Sequence, residues 1–255
     1  MRYEVAEGVA RLTLDNPDAR NVLDVDTMAA LSDGFARAGE DPAVRVVVLA
    51  AEGRAFCAGA DLKGAASADE QSFTADGPGA LVAVLEGILD CPKPTIARVQ
   101  GHVAGGGNGL VAACDFAVAA EEVHFAFSEV RVGVAPAVIS VVCLERMNRR
   151  DGIELLLLGE RVPASRVAEA GLINKAVPGD ELDAAVDGYV DSLRKGGPQA
   201  LTATKNLLRR VPGMPRAEAF SWTAEMSARL FNSDEARAGM MAFLSKQPAP
   251  WVEQG

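Results

Sequence analysis

The sequence has no C-x-x-C pair, no long uninterrupted apolar run and few basic residues for its acidic ones, and each absence removes a class of function. Its 25 Lys and Arg stand against 35 Asp and Glu, a net charge of -10, with an isoelectric point near 4.8. Binding to a nucleic-acid backbone rests on clustered Lys and Arg, which this chain lacks, so a nucleic-acid partner is not expected. Any anionic ligand must be held locally. The opening "MRYEVAEGVA" has no apolar core of signal-peptide length, and no later stretch reaches the roughly 18 apolar residues of a membrane span. The expectation is a soluble, cytosolic protein with no membrane partner. Cys57, Cys91, Cys114 and Cys143 lie far apart, with only His102 and His124 to join them around a metal. Reduced, buried thiols and no metal are therefore expected.

What is present is enough for one sizeable core, since 255 residues are 49% apolar. "YEVAEGVARLTL" alternates on both sides of Glu7-Gly8 and predicts a β-hairpin. From Asp26 the period changes. Met28, Leu31, Phe35 and Ala38 recur at helical spacing, with Asp24 or Asp26 as N-cap and an end near Gly39. Val44 to Ala50, Pro94 to Gly101 and Phe116 to Ala120 read as strands covered on both faces. Strands separated by helices imply a largely parallel sheet, so the fold class is α/β, with that core from about residue 44 to 175. After Pro178 only helices are expected, over 180–195, 198–210, 218–231 and 234–246. The division is an α/β core over 1–195 and a helical region over 196–255. No internal repeat is visible in the sequence, and 64–79 is small and polar, a candidate mobile loop beside a site.

"GHVAGGGNGLVAACD", Gly101 to Asp115, sets three glycines and a fourth before a helical segment. Such a turn exposes backbone N–H groups at the positive end of a helix, which suits a phosphate, a carboxylate or a developing oxyanion. Gly105, Gly106, Gly107 and Gly109 do not supply the dinucleotide-binding register, and no Gly-Lys-Ser/Thr ending is present, so both phosphate motifs fail. A second small-residue turn follows a core strand, Ala58-Gly59-Ala60 in "GRAFCAGADL". Two such turns can aim two N–H groups at one oxygen, the geometry of an oxyanion hole.

"GRAFCAGADL", "CPKPTIARVQGHVAGGGNGLVAACDFAVAA", "HFAFSEVRVGVAP" and "GERVPASRVAEAGLINKAV" together resemble the crotonase superfamily, the enoyl-CoA hydratase/isomerase group, over nearly the whole chain. The resemblance implies a spiral of ββα repeats, a helical C-terminal trimerisation region, a homotrimer or hexamer, and acyl-CoA thioesters as substrates. Coenzyme A arrives as part of the substrate, so no separate cofactor is expected. Carried over position by position, the N–H groups that polarise the thioester carbonyl are those of Ala60 and Gly106, and the acid/base glutamate is Glu129. Ala58, Asp61, Leu62, Gly105, Gly109 and Ala137 fall along the bound substrate, and Asp61 can also fix its turn. Phe243 and Lys246 lie in "FLSKQPAPW", which resembles the segment that closes a neighbour's CoA site. Arg20 and Lys63 are candidate contacts to the CoA phosphates, which need local positive charge in so acidic a chain.

Two departures from that pattern bear on the reaction. The first glutamate of two-glutamate hydratases is replaced, because Asn108 is followed by Gly109. A glycine-rich "PGGGGT" segment is replaced by "PAVIS", Pro136 to Ser140, which adds bulk at Val138 and Ile139. The combination is similar to bacterial methylglutaconyl-CoA hydratases. Asn108 is a candidate to hold a water or to cap the helix start, and His102 to face the pocket or serve a structural hydrogen bond. The expected activity is hydration of a 2-enoyl-CoA through an enolate, with Glu129 as the single acid/base. Isomerisation or decarboxylation of an acyl-CoA, or a non-catalytic CoA-binding role, are the alternatives.

Overall fold

Glu7 and Gly8 both have positive φ, 49° and 76°, the backbone of a type I′ turn whose twist matches that of paired strands. They join β1 (Arg2–Ala6) to β2 (Val9–Leu14) as the expected hairpin, with Ala6 opposite Val9. The structure is a computed structural model and describes residues 1–60 and 76–252. Helix α1 (Val25–Glu40) begins where the Asp24 carboxylate accepts the Thr27 N–H at 2.7 Å, an N-cap that satisfies one of the helix's free donors. Met28, Leu31, Phe35 and Ala38 form its buried stripe, as their spacing requires.

Every residue of β3 (Val46–Ala51) is buried. It lies between β2 and β5 (Thr95–Val99) in a six-stranded sheet of order β1-β2-β3-β5-β7-β10, completed by β7 (Phe116–Ala120) and β10 (Lys175–Val177). All pairs beyond the hairpin are parallel. β3 starts two residues later than the composition suggested, because Val44, though buried, is turned back by its N–H bond to Asp41 O.

A second sheet of three-residue strands lies beyond the first, in the order β4 (Ala55–Cys57), β6 (His102–Ala104), β8 (His124–Ala126), β9 (Arg161–Pro163). The chain passes from the large sheet to the small one and then into a helix three times. The turns are β3-β4 with α2 (Asp76–Asp90), β5-β6 with α3 (Gly106–Ala113), and β7-β8 with α4 (Ala137–Arg146). This is the spiral of ββα units that the resemblance implies. Of the stretch expected to be a loop over 64–79, residues 76–79 open α2 instead, and 64–75 lie outside the described residues.

The remainder is helical apart from β9 and β10: α5 (Arg149–Leu158), α6 (Ala164–Glu169), α7 (Leu182–Arg194), α8 (Pro198–Arg210), α9 (Arg216–Phe231) and α10 (Asp234–Leu244). Asp180 belongs to a short 3-10 turn ahead of α7. Lys205 of α8 anchors this region to the large sheet, its Nζ 2.8 Å from the Asp115 carboxylate, which also accepts the Thr95 N–H and hydroxyl. All four cysteines are buried and unpaired.

Candidate active site

β4 and β6 are parallel neighbours, so the turns at their carboxyl ends emerge side by side. Gly59 (φ 82°) and Gly105 (φ 51°) both hold backbone that side-chain-bearing residues rarely adopt. A methyl on Gly59 would lie 3.0 Å from Ala104 O and 3.2 Å from Gly106 N. Glycine at 59 is thus what lets the two turns touch.

Most N–H groups around these turns are already engaged. Ala58 donates to Arg20 O at 3.1 Å, Leu23 donates to Gly59 O at 2.8 Å, and Gly105 donates to Ala126 O at 3.1 Å. Gly59 N–H faces Cys57 Sγ at 3.5 Å. Among the described residues, the N–H groups of Ala60 and Gly106 find no acceptor. Gly106 is also the first residue of α3, where the helix dipole is positive.

Glu129 reaches the same place from the third ββα unit. β8 runs parallel to β6 and leads into a 3-10 turn over Ser128–Val132 that carries Glu129. A methyl on Gly105 would lie 3.6 Å from Glu129 Oε1 and 3.5 Å from Gly59 Cα. Burial pushes the Glu129 carboxyl above the ordinary glutamate range, and its Oε2 is buried without a partner. Cys143 of α4 is held neutral beside it, its thiol pushed up first by burial and then by the Glu129 charge. A half-buried carboxyl with one oxygen lacking a partner, close to the Gly105 backbone, can carry a proton beside N–H groups that have no acceptor among the described residues.

The two departures in sequence meet in space. Gly109 on α3 faces Ile139 on α4, and a methyl on Gly109 would lie 2.6 Å from Ile139 Cγ2 and 3.4 Å from Leu85 Cδ2. Ile139 is 2% exposed. The place of a first glutamate is therefore taken by packed hydrocarbon.

Other expected site residues are distributed unevenly. Arg20 is exposed at positive φ, and its carbonyl is bonded to the Ala58 turn, so it stands at the edge of the site. Asn108 and Gly109 are both turned into the packed interior. Asn108 is fully buried with its Nδ2 on Gly105 O at 3.1 Å and Ala126 O at 2.9 Å, and Gly109 is covered by Ile139. Ala137 is exposed at the start of α4. Phe243, 82% exposed, and Lys246 lie at and just past the end of α10. Asp61, Leu62 and Lys63 lie outside the described residues. His102 accepts the His124 N–H on Nδ1 at 3.1 Å and so serves the small sheet.

Sequence reasoning missed Leu23, Leu81 and Asn21. Leu23 Cδ1 and Leu81 Cδ2 flank the Gly106 backbone, 2.8 Å and 3.6 Å from where a methyl would stand. Asn21, 1% exposed, donates Nδ2 to Glu52 O and Ala55 O and accepts the Asn16 N–H. That clamp holds the strip Arg20–Leu23 along the Ala58–Ala60 turn. Nothing in residue type or spacing around Arg20 pointed to it.

Known proteins share this architecture along its whole length. A carnitinyl-CoA dehydratase of Salmonella typhi is 32% identical over 250 residues, 95% of this chain and 94% of the relative. An enoyl-CoA hydratase of Mycobacterium tuberculosis is 33% identical over 241 residues, 92% and 90% of the two chains. The crystal structure of an enoyl-CoA hydratase from Mycobacterium smegmatis superposes with a TM-score of 0.93 at 33% identity, over 99% of this chain and 98% of that one. Residues 4–254 match the enoyl-CoA hydratase/isomerase family as a whole, and the chain belongs to that family.

Proposed function

We propose that the protein adds water to a 2-enoyl-CoA thioester, with the Ala60 and Gly106 N–H groups holding the thioester oxygen and Glu129 as the single acid/base. The observation that carries this reading is the contact between the two glycine turns, with two donors that find no acceptor among the described residues and the half-buried Glu129 carboxyl close to Gly105. Relatives named as a hydratase and a dehydratase support a reaction that adds or removes water.

The chemistry follows from charge. Water attacks C3, its proton passes to Glu129, and electrons move through C2 onto the thioester oxygen as an enolate. Preorganised N–H donors there are worth about 3–4 kcal/mol each in a water-poor site. Glu129 then returns the proton to C2, so hydroxyl and hydrogen of one water end on C3 and C2. Its raised pKa suits both duties, since a carboxyl closer to neutrality accepts and releases a proton with less penalty. The CoA portion belongs to the substrate, and Arg20 offers a cation for its phosphates.

Isomerisation is the second reading, favoured by Ile139 in the Gly109 space. One carboxylate suffices to move a proton between two carbons, whereas hydration must also orient a water. Incubation with crotonyl-CoA, 3-methylglutaconyl-CoA and a 3-enoyl-CoA separates the two. A mass gain of one water supports hydration, and an isomer of unchanged mass supports the second reading. Acyl-CoA binding without turnover of any of the three would overturn both in favour of a silent CoA-binding protein.

We also propose a homotrimer or hexamer. Phe220, Phe231, Met241, Phe243 and Leu244 of the last two helices are each more than 65% exposed, more apolar surface than an isolated subunit ordinarily shows. A neighbour's Phe243 and Lys246 would then close the CoA site, and light scattering of the purified protein tests the assembly.

A further inference from the structure

We infer that Asn108 is a positioning residue that aims the Gly106 N–H at the substrate oxygen and ties that donor to the segment carrying Glu129; this rests on the oxyanion reading above. In a trans peptide the C=O and N–H point in opposite directions, and no described peptide is cis. The direction of Gly105 C=O therefore sets the direction of Gly106 N–H. Gly105 has φ 51° and ψ -127°, a backbone only glycine adopts freely, so its peptide plane needs an outside restraint. Asn108 supplies it twice, donating to Gly105 O from its backbone N at 2.9 Å and from Nδ2 at 3.1 Å.

The second Nδ2 proton goes to Ala126 O at 2.9 Å, which also accepts the Gly105 N–H at 3.1 Å. Ala126 ends β8, three residues before Glu129. One buried amide thus spans the oxyanion turn and the strand end that delivers the base. This is not a helix cap, because a capping Asn accepts N–H bonds through its oxygen, whereas here the nitrogen donates to two carbonyls. Two carbonyl partners also fix which end is nitrogen. Meanwhile Oδ1 is buried with no partner, a cost in stability that an apolar side chain would not carry. What the side chain contributes here is its pair of donors.

The test compares wild type, Asn108→Ala and Asn108→Ser, reading kcat, KM and the absorbance of bound cinnamoyl-CoA, a conjugated thioester whose band moves to longer wavelength when its carbonyl is polarised. A misaimed donor in Asn108→Ala is expected to lower kcat on the order of 10–100-fold, with KM changed less than about threefold, and to shrink the red shift. Asn108→Ser keeps one donor and is expected to fall between. If Asn108→Ala does not fold, Asn108→Ser carries the comparison. A folded variant with a lower melting temperature but the kcat and red shift of wild type would overturn the inference and leave the oxyanion reading standing. No red shift in the wild type would overturn both.

Discussion

Ile139 fills the space that a side chain on Gly109 would need, its Cγ2 only 2.6 Å from where a methyl would stand. Gly109→Ala adds helix propensity of about 1 kcal/mol, yet overpacking of this kind costs about 1–3 kcal/mol, and the fully buried position makes the second effect win. Denaturant titration should show net destabilisation of up to about 2 kcal/mol. Combining it with Ile139→Ala should cost less than the sum of the single changes, because the smaller residue removes the clash.

Asn21 shows the opposite case, a polar side chain with every group used. Asn21→Ala leaves two carbonyls and one N–H unpaired beneath the Ala58–Ala60 turn, and places alanine at φ 52°. Unpaired buried groups cost about 1–3 kcal/mol each when water cannot reach them. A loss on the order of 3 kcal/mol is expected from the denaturant midpoint, with lower kcat even where the protein remains folded.

Gly106→Ala and Gly106→Pro separate the space at that position from its N–H. Both place a Cβ near Leu23 Cδ1, the movable end of a side chain, and proline is tolerated at the first position of a helix. Only proline removes the donor. Turnover by Gly106→Pro should fall about 10²–10³-fold below that of Gly106→Ala. Equal turnover in two folded variants would remove Gly106 from the oxyanion site.

Glu129 gives a pH dependence of definite sign. Burial raises its pKa in the folded protein, so the folded state binds the proton more tightly than the unfolded state. Stability then falls as pH rises from the ordinary glutamate range through the raised pKa, and is lower above it. Glu129→Gln, neutral throughout, should be the more stable protein at neutral pH, with the difference closing below the ordinary range. Its turnover should drop about 10²–10⁴-fold. The wild-type kcat/KM should rise with pH along a limb above the ordinary glutamate range.

The long strands and helices were legible because their signals are local. β3 is a β-branched run covered on both faces, and α1 carries its stripe and its cap within one segment. The small sheet was not legible, because three residues such as His102–Ala104 cannot display a period of two. This is also why no repeat showed, although the chain winds through three ββα units. The glycine turns could be read from residue type and order, whereas Glu129 was singled out only through the family resemblance. The Gly109–Ile139 contact could not, because it joins residues thirty apart on two helices. Asn108 stood out in the sequence beside the glycine turn, but the direction of its side chain depends on Ala126, which the fold brings to it.

The most direct test of enolate formation with Glu129 as proton carrier is exchange at C2 of a saturated thioester such as butyryl-CoA in heavy water, followed by mass spectrometry. This exchange needs the oxyanion donors and the base, but neither water addition nor a second carboxylate. Wild-type protein is predicted to place deuterium at C2, and Glu129→Gln to do so at least about 100-fold more slowly. Exchange at the same rate in both proteins would contradict the role of Glu129, and a wild type that turns over enoyl-CoA without any exchange would contradict the enolate itself.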